Sequence, residues 1–208
     1  MHVEDAIRHR RSIRRFLPDA IPPTALREML ALASMAPNIG NRQMWRFIIL
    51  TEEPLRQMLG HMVERRITEM SAWPEFATQA QRLRAWKESA LLFMQAPVVI
   101  IMVNQGYRTP IDAKLVEHGM RPGEVEALFA RPDIQSLAAV TAYLTLLAEA
   151  RGYGTCWLTD VLMTKKDLQA SLGLAPGEDI AALLALGLPA EYPPPKARKA
   201  IDDIIEWR

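Results

Sequence analysis

Apolar positions recur in two patterns along this chain, and together they predict more helix than strand. A spacing of three to four residues predicts helices near residues 3–10, 23–34, 54–69, 75–95, 134–151 and 164–172. Continuous apolar runs rich in β-branched and aromatic residues predict strands at residues 45–51, 97–104, 154–158 and 181–187. Because these strands lie far apart and do not alternate regularly with helices, we expect a layered α+β fold in a single domain of residues 1–208.

The predicted helix at residues 134–151 is apolar around almost its whole circumference until Glu149. A helix of this kind is buried on every side. A second copy of the chain covering one face would bury it, which predicts a homodimer with a helical interface. A central core helix in a monomer is the alternative that this pattern leaves open.

The longest uncharged run, residues 90–107, approaches the length of a membrane span. Pro97 interrupts it, and Asn104 and Gln105 make its end polar, so we interpret it as a helix end, a turn and a buried strand. The beginning of the chain carries charges where an export signal needs an apolar stretch. Cys156 is the only cysteine, which excludes an intrachain disulfide framework. We therefore expect a cytoplasmic protein without a transmembrane segment.

Charge matters only locally, because 25 Lys and Arg residues balance 24 Asp and Glu residues to a net charge of +1. The densest basic cluster is RHRRSIRR at residues 8–15, where the first helix should end. Guanidinium groups beside a hydroxyl suit a phosphate, since they offer several directional donors of fixed charge. A solvated helix end with arginines at its negative pole is the alternative. Nucleic-acid binding is disfavoured, because no aromatic residues interleave with the arginines.

Common catalytic signatures are missing from the sequence. It contains no HExxH, GxSxG or P-loop motif, its four histidines lack ligand spacing, and Trp157 occupies the third glycine position of a dinucleotide fingerprint. Cys156 has no histidine near it in the sequence, so we expect a buried small hydrophobe rather than a nucleophile. With no metal site and no strong acid or base in view, the pattern predicts chemistry performed by a bound cofactor.

Four ordered blocks resemble the FMN-dependent nitroreductase family over nearly the whole chain. They are RRSIRRF at 10–16, APNIGNRQMWRFIIL at 36–50, GYGTCWLTD at 152–160 and LGLPAEYPPPKARK at 186–199. The resemblance implies a nitroreductase-like α/β sandwich, with a central mixed sheet flanked by helices, in an intertwined homodimer. It also implies one FMN at each end of the subunit interface, with NADH or NADPH as co-substrate.

The resemblance also assigns cofactor contacts residue by residue. The phosphate, ribityl chain and pyrimidine edge of FMN would be bound by Arg10, Ser12 and Arg14, with Arg11 adjacent. Lys196 and Arg198 would close the phosphate site. The flavin would perform the chemistry, and Arg14 would stabilise the negative charge of the reduced ring by preorganised electrostatics.

The flavin ring would be lined by two other segments. The partner subunit would contribute the loop of Pro37, Asn38, Ile39, Gly40 and Asn41. The strand residues Trp157, Leu158 and Thr159 would face the ring with their backbone, and the N–H of Thr159 would approach the flavin N5. Many family members read PSSxNxQPW where this chain has PNIGNRQMW, so hydrogen bonds from the two serine hydroxyls are not expected here.

The implied function is an FMN-dependent NAD(P)H oxidoreductase that reduces nitroaromatic, quinone or similar electrophilic acceptors by a ping-pong mechanism. Relatives that dehalogenate, or that consume flavin to build a benzimidazole, leave a second possibility open. A basic-patch nucleic-acid-binding module without a cofactor is the alternative from another class. The segment near residues 66–130, which covers the flavin in the family, carries no matching motif. An aromatic lid or ordinary core packing is open to its residues Trp73, Phe76, Trp86, Tyr107 and Phe129.

Overall fold

Eight α-helices and four β-strands are formed by residues 2–208, the part of the chain that the computed structural model describes; Met1 of the predicted domain lies outside it. The helices are α1 Val3–His9, α2 Pro23–Ala33, α3 Glu53–Ser71, α4 Ala80–Leu91, α5 Pro110–Glu117, α6 Pro122–Leu128, α7 Pro132–Ala150 and α8 Lys165–Ser171. The strands are β1 Trp45–Leu50, β2 Val98–Asn104, β3 Gly154–Leu158 and β4 Asp179–Gly187.

The four strands form one sheet in the order β1-β2-β4-β3, and each neighbouring pair is antiparallel. Every residue of β2 is buried, as its unbroken apolar sequence predicts for a central strand. The expected mixed character of the sheet is limited to one isolated parallel bridge between Ser12 and Thr155. The α+β class with helices flanking a sheet is confirmed.

Alternating side chains of the strands point to opposite faces of the sheet, and helices cover both faces. On one face, Ile101 and Leu183 pack with Leu59 and Val63 of α3 and with residues of α4 and α8. On the other, buried residues such as Ile100 pack with α2 and α7. Two apolar cores therefore sandwich the sheet, as residue alternation along a strand requires.

The six predicted helices are all present, but the one at residues 75–95 is divided. A 3₁₀ turn at Pro74–Phe76 precedes α4, and another at Leu92–Gln95 follows it. Helices α5 and α6 were not predicted, because Val125 is the only buried residue in either of them and no apolar stripe marks them. Pro110 and Pro122 begin them, and proline at the first helical position is a signal that could have found both.

A single chain does not bury α7 on every side, so the alternative of a central core helix in a monomer is wrong. Eight of its residues are buried, whereas Tyr143 is 42% exposed and Ala142 beside it is also exposed. The C-terminal residues are exposed too, with Ile204 at 62% and Trp207 at 90%. Apolar surface thus remains uncovered along α7 and at the C-terminal end of the described chain. Among residues 2–208, no helix is both long and apolar enough to cross a membrane.

Candidate functional site

The basic segment at residues 10–17 leaves α1 at His9 and runs in an extended path, so its arginines do not share a helix face. It lies between β3 and the residues that follow β4. The backbone N–H of Ile13 donates to the Thr155 carbonyl at 2.9 Å, and that of Leu17 donates to the Leu188 carbonyl at 2.9 Å. These bonds fix the segment against the edge of the sheet.

Gly154 explains how the basic segment approaches β3 so closely. A Cβ atom at Gly154 would lie 2.6 Å from Cγ1 of Ile13, which is 3% exposed. Glycine is therefore favoured here for packing space, since a Cβ atom would overlap the buried side chain of Ile13. The GYG sequence and RRSIRRF sequence consequently belong to one local structure.

The arginines of the basic segment differ in what they contact. Arg11 donates to the carbonyls of Arg8 at 2.7 Å and Arg10 at 2.9 Å, so its guanidinium covers the end of α1. Arg14 donates from Nη1 to the Ser12 carbonyl at 3.2 Å, and its backbone N–H donates to Oε1 of Glu191 at 2.7 Å. No carboxylate pairs with the guanidinium of Arg10 or Arg14 within residues 2–208. Of the predicted arginines, Arg11 has the structural role.

Cys156 of β3 lies close to the same charges. Burial raises the pKa of its thiol, and the positive charges of Arg14 and Arg10 oppose that rise. The side chain is 4% exposed and belongs to the core between the sheet and α3. The thiol is thus a buried hydrophobe, as expected.

A groove of about 680 Å³ runs from the basic segment to α4. Its lining includes Arg14, Arg15 and Arg84, and Ser89, whose hydroxyl donates to Asp160 at 3.0 Å. The sequence did not identify Arg84 or Ser89, because they are two of many polar residues on a surface helix. The groove adds cationic side chains to one side of the predicted phosphate site.

The β3 residues of the predicted site lie beside the basic segment, through the bridge from Ser12 to Thr155. Trp157 is 41% exposed although it is part of a strand. Leu158 is buried in the core, so only its backbone is available to a ligand. Thr159 is exposed where the chain leaves β3.

The predicted ring-lining loop packs on α7. The backbone N–H of Ile39 donates to the Ser136 hydroxyl at 3.3 Å, and Oδ1 of Asn38 accepts from the Gln43 N–H at 2.9 Å. Gly40 has a φ of 55°. The loop is a fixed turn whose residues are mostly exposed, with Pro37, Ile39, Gly40 and Asn41 on the surface.

The loop and the basic segment lie at diagonally opposite corners of the sheet. Trp45, just after the loop, is level with Asn104 and Asp179, whereas the basic segment lies at the level of Gly154 and Gly187. Three strand spacings and eight residues of β4 separate the two corners, which corresponds to roughly 30 Å. Even Leu158, opposite Leu183, lies about 20 Å from Trp45, because four residues of β4 and three strand spacings separate them. One chain does not bring the two parts of the predicted site together.

The profile of the nitroreductase family matches residues 7–188. Over 199 residues the chain is also 32% identical to a Thermus thermophilus protein named NADH dehydrogenase, covering 96% of this chain and 92% of that protein. The chain belongs to the nitroreductase family. The matched range of this nitroreductase-family chain includes the basic segment, the loop at residues 37–41 and β3.

Two other comparisons show which nitroreductase-family proteins this chain resembles. It is 27% identical over 186 residues to 5,6-dimethylbenzimidazole synthase from Rhodobacter capsulatus, covering 89% of this chain and 82% of that enzyme. The crystal structure of a BluB-like flavoprotein from Clostridium difficile 630 has a TM-score of 0.87 and 26% identity, covering 100% of this chain and 99% of that one. The nitroreductase fold is therefore shown over the whole described chain.

The C-terminal cations of this nitroreductase-family chain make no hydrogen bond or ion pair with the other described residues of the predicted site. Lys196 and Arg198 are exposed in a segment without helix or strand, and neither makes a hydrogen bond or ion pair within residues 2–208. The segment begins beside the arginines, because the N–H of Ala190 donates to the Arg15 carbonyl at 2.9 Å. No group of three or more His, Cys, Asp or Glu side chains in the described residues is arranged to hold a metal ion.

Proposed function

We propose that this nitroreductase-family protein is an FMN-dependent oxidoreductase that works as a homodimer. It passes electrons from NADH or NADPH to nitroaromatic, quinone or similar electrophilic acceptors in a ping-pong cycle. The observation that carries the proposal is the separation of the loop at residues 37–41 from the basic segment. Two chains related by a twofold axis supply both parts to each site, because each chain then gives its loop to the other.

The donor set near β3 fits FMN. The guanidinium groups of Arg10 and Arg14 have no carboxylate partner in the described chain, and Arg15 and Arg84 line the adjoining groove. A phosphate dianion provides the charge and the acceptor oxygens that such groups bind. Lys196 and Arg198 complete this set when the exposed C-terminal segment folds over the phosphate.

When bound, FMN supplies the hydride and electron transfer chemistry, which no side chain of the protein can replace. The protein binds and orients the flavin and polarises its ring. Arg14 holds a fixed positive charge beside the pyrimidine edge, where it stabilises negative charge at no cost of reorganisation. The Thr159 N–H is the donor that we assign to the flavin N5. Trp157 and the partner's loop cover the ring and exclude water.

Uncovered apolar surface supports the homodimer. Tyr143 on α7 and the C-terminal residues Ile204 and Trp207 expose aromatic and aliphatic side chains that water solvates poorly. A partner that covers α7 completes the burial that the sequence of this helix requires. The same contact places two identical sites at the interface.

Complementation between two inactive variants tests the shared site. Arg10→Ala/Arg14→Ala removes the cations, and Gly40→Val displaces the loop, because a β-branched residue is strained at a φ of 55°. Each variant alone is expected to lose FMN and acceptor-dependent NAD(P)H oxidation. Coexpression with two affinity tags allows mixed dimers to be purified, and each of them has one intact site of its two. In an unpurified statistical mixture, half of the dimers are mixed, so about one quarter of all sites are intact.

The matched control is Arg65→Ala, which removes an exposed arginine of α3 outside the site. It should retain FMN and activity in every combination. Purified mixed dimers that regain neither FMN nor activity would show that the two parts do not share a site. A wild-type protein that binds no FMN, judged from flavin absorption and its bleaching by NADH or NADPH without oxygen, would end the proposal itself.

A second candidate function is benzimidazole synthesis from FMN. The similarity to 5,6-dimethylbenzimidazole synthase and to the BluB-like flavoprotein favours it. The two activities use the same cofactor and differ in whether the flavin survives. Mass spectrometry of the holoenzyme after incubation with excess reduced FMN and oxygen tests for the synthesis. Accumulation of 5,6-dimethylbenzimidazole identifies the synthase, and FMN recovered intact rejects it.

A further inference from the structure

A second cavity, of about 250 Å³, lies at the corner of the sheet that carries the loop at residues 37–41. Its walls are the end of β2, the start of β4, and the α5–α6 segment that the sequence pattern did not predict. The backbone N–H of Gln105 donates to the Met44 carbonyl at 2.8 Å, which ties the cavity wall to the loop. Under the proposed function, this corner faces the flavin held by the partner subunit.

One wall of the cavity is fixed by a chain of charged and polar contacts. Nδ2 of Asn104 donates to Asp133 at 2.6 Å, and Arg131 donates to both oxygens of Asp133 at 3.2 and 3.1 Å. Arg131 also pairs with Glu126 at 3.3 Å. The pKa of Asp133 is lowered because hydrogen bonds from Arg131 and Asn104 outweigh burial. These four side chains join β2, α6 and α7.

The same wall holds unusual backbone geometry. Ala130 and Arg131 have φ values of 52° and 53°, which non-glycine residues rarely adopt. Two strained residues in succession persist only where the surrounding contacts determine them, and such positions concentrate at ligand sites. The contacts of Arg131 with Glu126 and Asp133 hold this backbone conformation in place. The cavity is therefore a formed structure with a rigid wall.

The remaining carboxylates of the cavity lining also have hydrogen-bond partners within the chain. Asp112 accepts from the Thr109 N–H at 2.5 Å as the capping residue of α5, and Asp179 accepts from Lys165 at 2.9 Å. Arg108 differs from them, since it makes no hydrogen bond or ion pair in the described chain. Its guanidinium is thus the open charge of the cavity.

Tyr107 and Phe129 give the cavity its apolar surface. Tyr107 is partly buried against the core, and Phe129 is 47% exposed. Aromatic walls favour a flat ring, and a volume of about 250 Å³ lies below the usual range for drug-sized ligands. The ligand that fits has one ring and an acidic group for the guanidinium.

We propose that this cavity binds the electron acceptor, and that the acceptor is a single-ring aromatic compound with a carboxylate that pairs with Arg108. The inference rests on the proposed function for the identity of the ligand as an acceptor. The anion site itself depends only on the cavity. Arg108 is a specificity residue that binds the substituent of the ring and not the reacting group.

Paired substrates of equal shape test the assignment. The holoenzyme is assayed with 4-nitrobenzoate and with the neutral 4-nitrobenzamide, as wild type, Arg108→Ala and the control Lys114→Ala. Lys114 is a matched control because it lies on α5 and pairs on the surface with Glu117. Wild type and Lys114→Ala should prefer the benzoate in kcat/KM by at least about tenfold, as a charge-assisted pair implies. Arg108→Ala should lose that preference while its kcat/KM for the benzamide is unchanged.

Binding without turnover separates this inference from the proposed function. Calorimetry compares the affinities for benzoate and benzamide of the same three proteins. Arg108-dependent binding of benzoate without reduction of either nitro compound would support the anion site and reject the nitroaromatic acceptor. Reduction of both nitro compounds at equal kcat/KM in wild type, or a benzoate preference that survives Arg108→Ala, would overturn the assignment of Arg108 and leave the reductase standing.

Discussion

The contact between Gly154 and Ile13 predicts how stability and cofactor binding are linked. Gly154→Ala adds one methyl group where the nearest atoms are Cγ1 of Ile13 at 2.6 Å and its Cβ at 2.9 Å. These are buried atoms of a β-branched side chain, and they have little freedom to turn aside. The substitution therefore forces the basic segment away from β3.

The expected cost is that of overpacking, about 1–3 kcal/mol in the free energy of unfolding. For a chain of this size that corresponds to a fall in Tm of about 2–12 °C. FMN affinity should fall as well, because the segment that carries Arg10 and Arg14 is displaced. Thermal melting with and without FMN, together with FMN titration, measures both effects. Gly123→Ala is the control, because a Cβ there has no neighbour within 4 Å.

A double-mutant cycle identifies the cause. Ile13→Ala alone leaves a cavity and should cost about 2–5 kcal/mol. Combined with Gly154→Ala, it should cost less than the two single changes added together, because the new methyl group occupies part of that cavity. Strict additivity, or a Gly154→Ala protein that melts and binds FMN like wild type, would refute the packing explanation.

Two further predictions concern titratable groups. The pKa of Glu178 is lowered to about 2, mainly by its hydrogen bonds from Arg46. The ion pair therefore stabilises the fold fully above the pKa that this carboxyl has in the unfolded chain, and the stabilisation is lost as the pH falls towards 2. The free energy of unfolding of the wild type should therefore exceed that of Glu178→Gln at neutral pH, and this difference should vanish in acid. A difference that does not depend on pH would contradict a role of the ion pair. Cys156 is buried with a raised pKa, so a thiol reagent should label the folded protein far more slowly than the unfolded one, and equal rates would contradict its burial.

Local sequence predicted the elements better than their arrangement. The strands followed from their apolar runs, because cores cover both faces of the sheet, and most helices followed from periodicity, because one face of each packs into a core. The helices α5 and α6 have almost no buried residues, so no apolar pattern could reveal them. The place of Arg108 in a cavity and the partners of Arg131 were equally hidden, since a cavity forms between segments distant in the chain.

The resemblance to known sequence blocks predicted which segments matter, but residues alone did not show that they lie apart. The distance between the loop and the basic segment depends on strand order and register, and these are long-range properties. Arg11 makes a contact that its position in the cluster did not reveal, because its guanidinium donates to carbonyls at the end of α1. The contribution of Lys196 and Arg198 to the site stays a prediction.

The position of β4 bears on how the protein is made. It lies between β2 and β3 in the sheet, yet it is the last strand along the chain. During synthesis, β3 therefore has no strand to pair with, and one edge of the wholly apolar β2 stays open, until Gly187 has left the ribosome. Long-range pairings of this kind form slowly and expose apolar surface while they wait. The sheet of this nitroreductase-family protein is therefore completed only by the C-terminal third of the chain, which carries both β3 and β4.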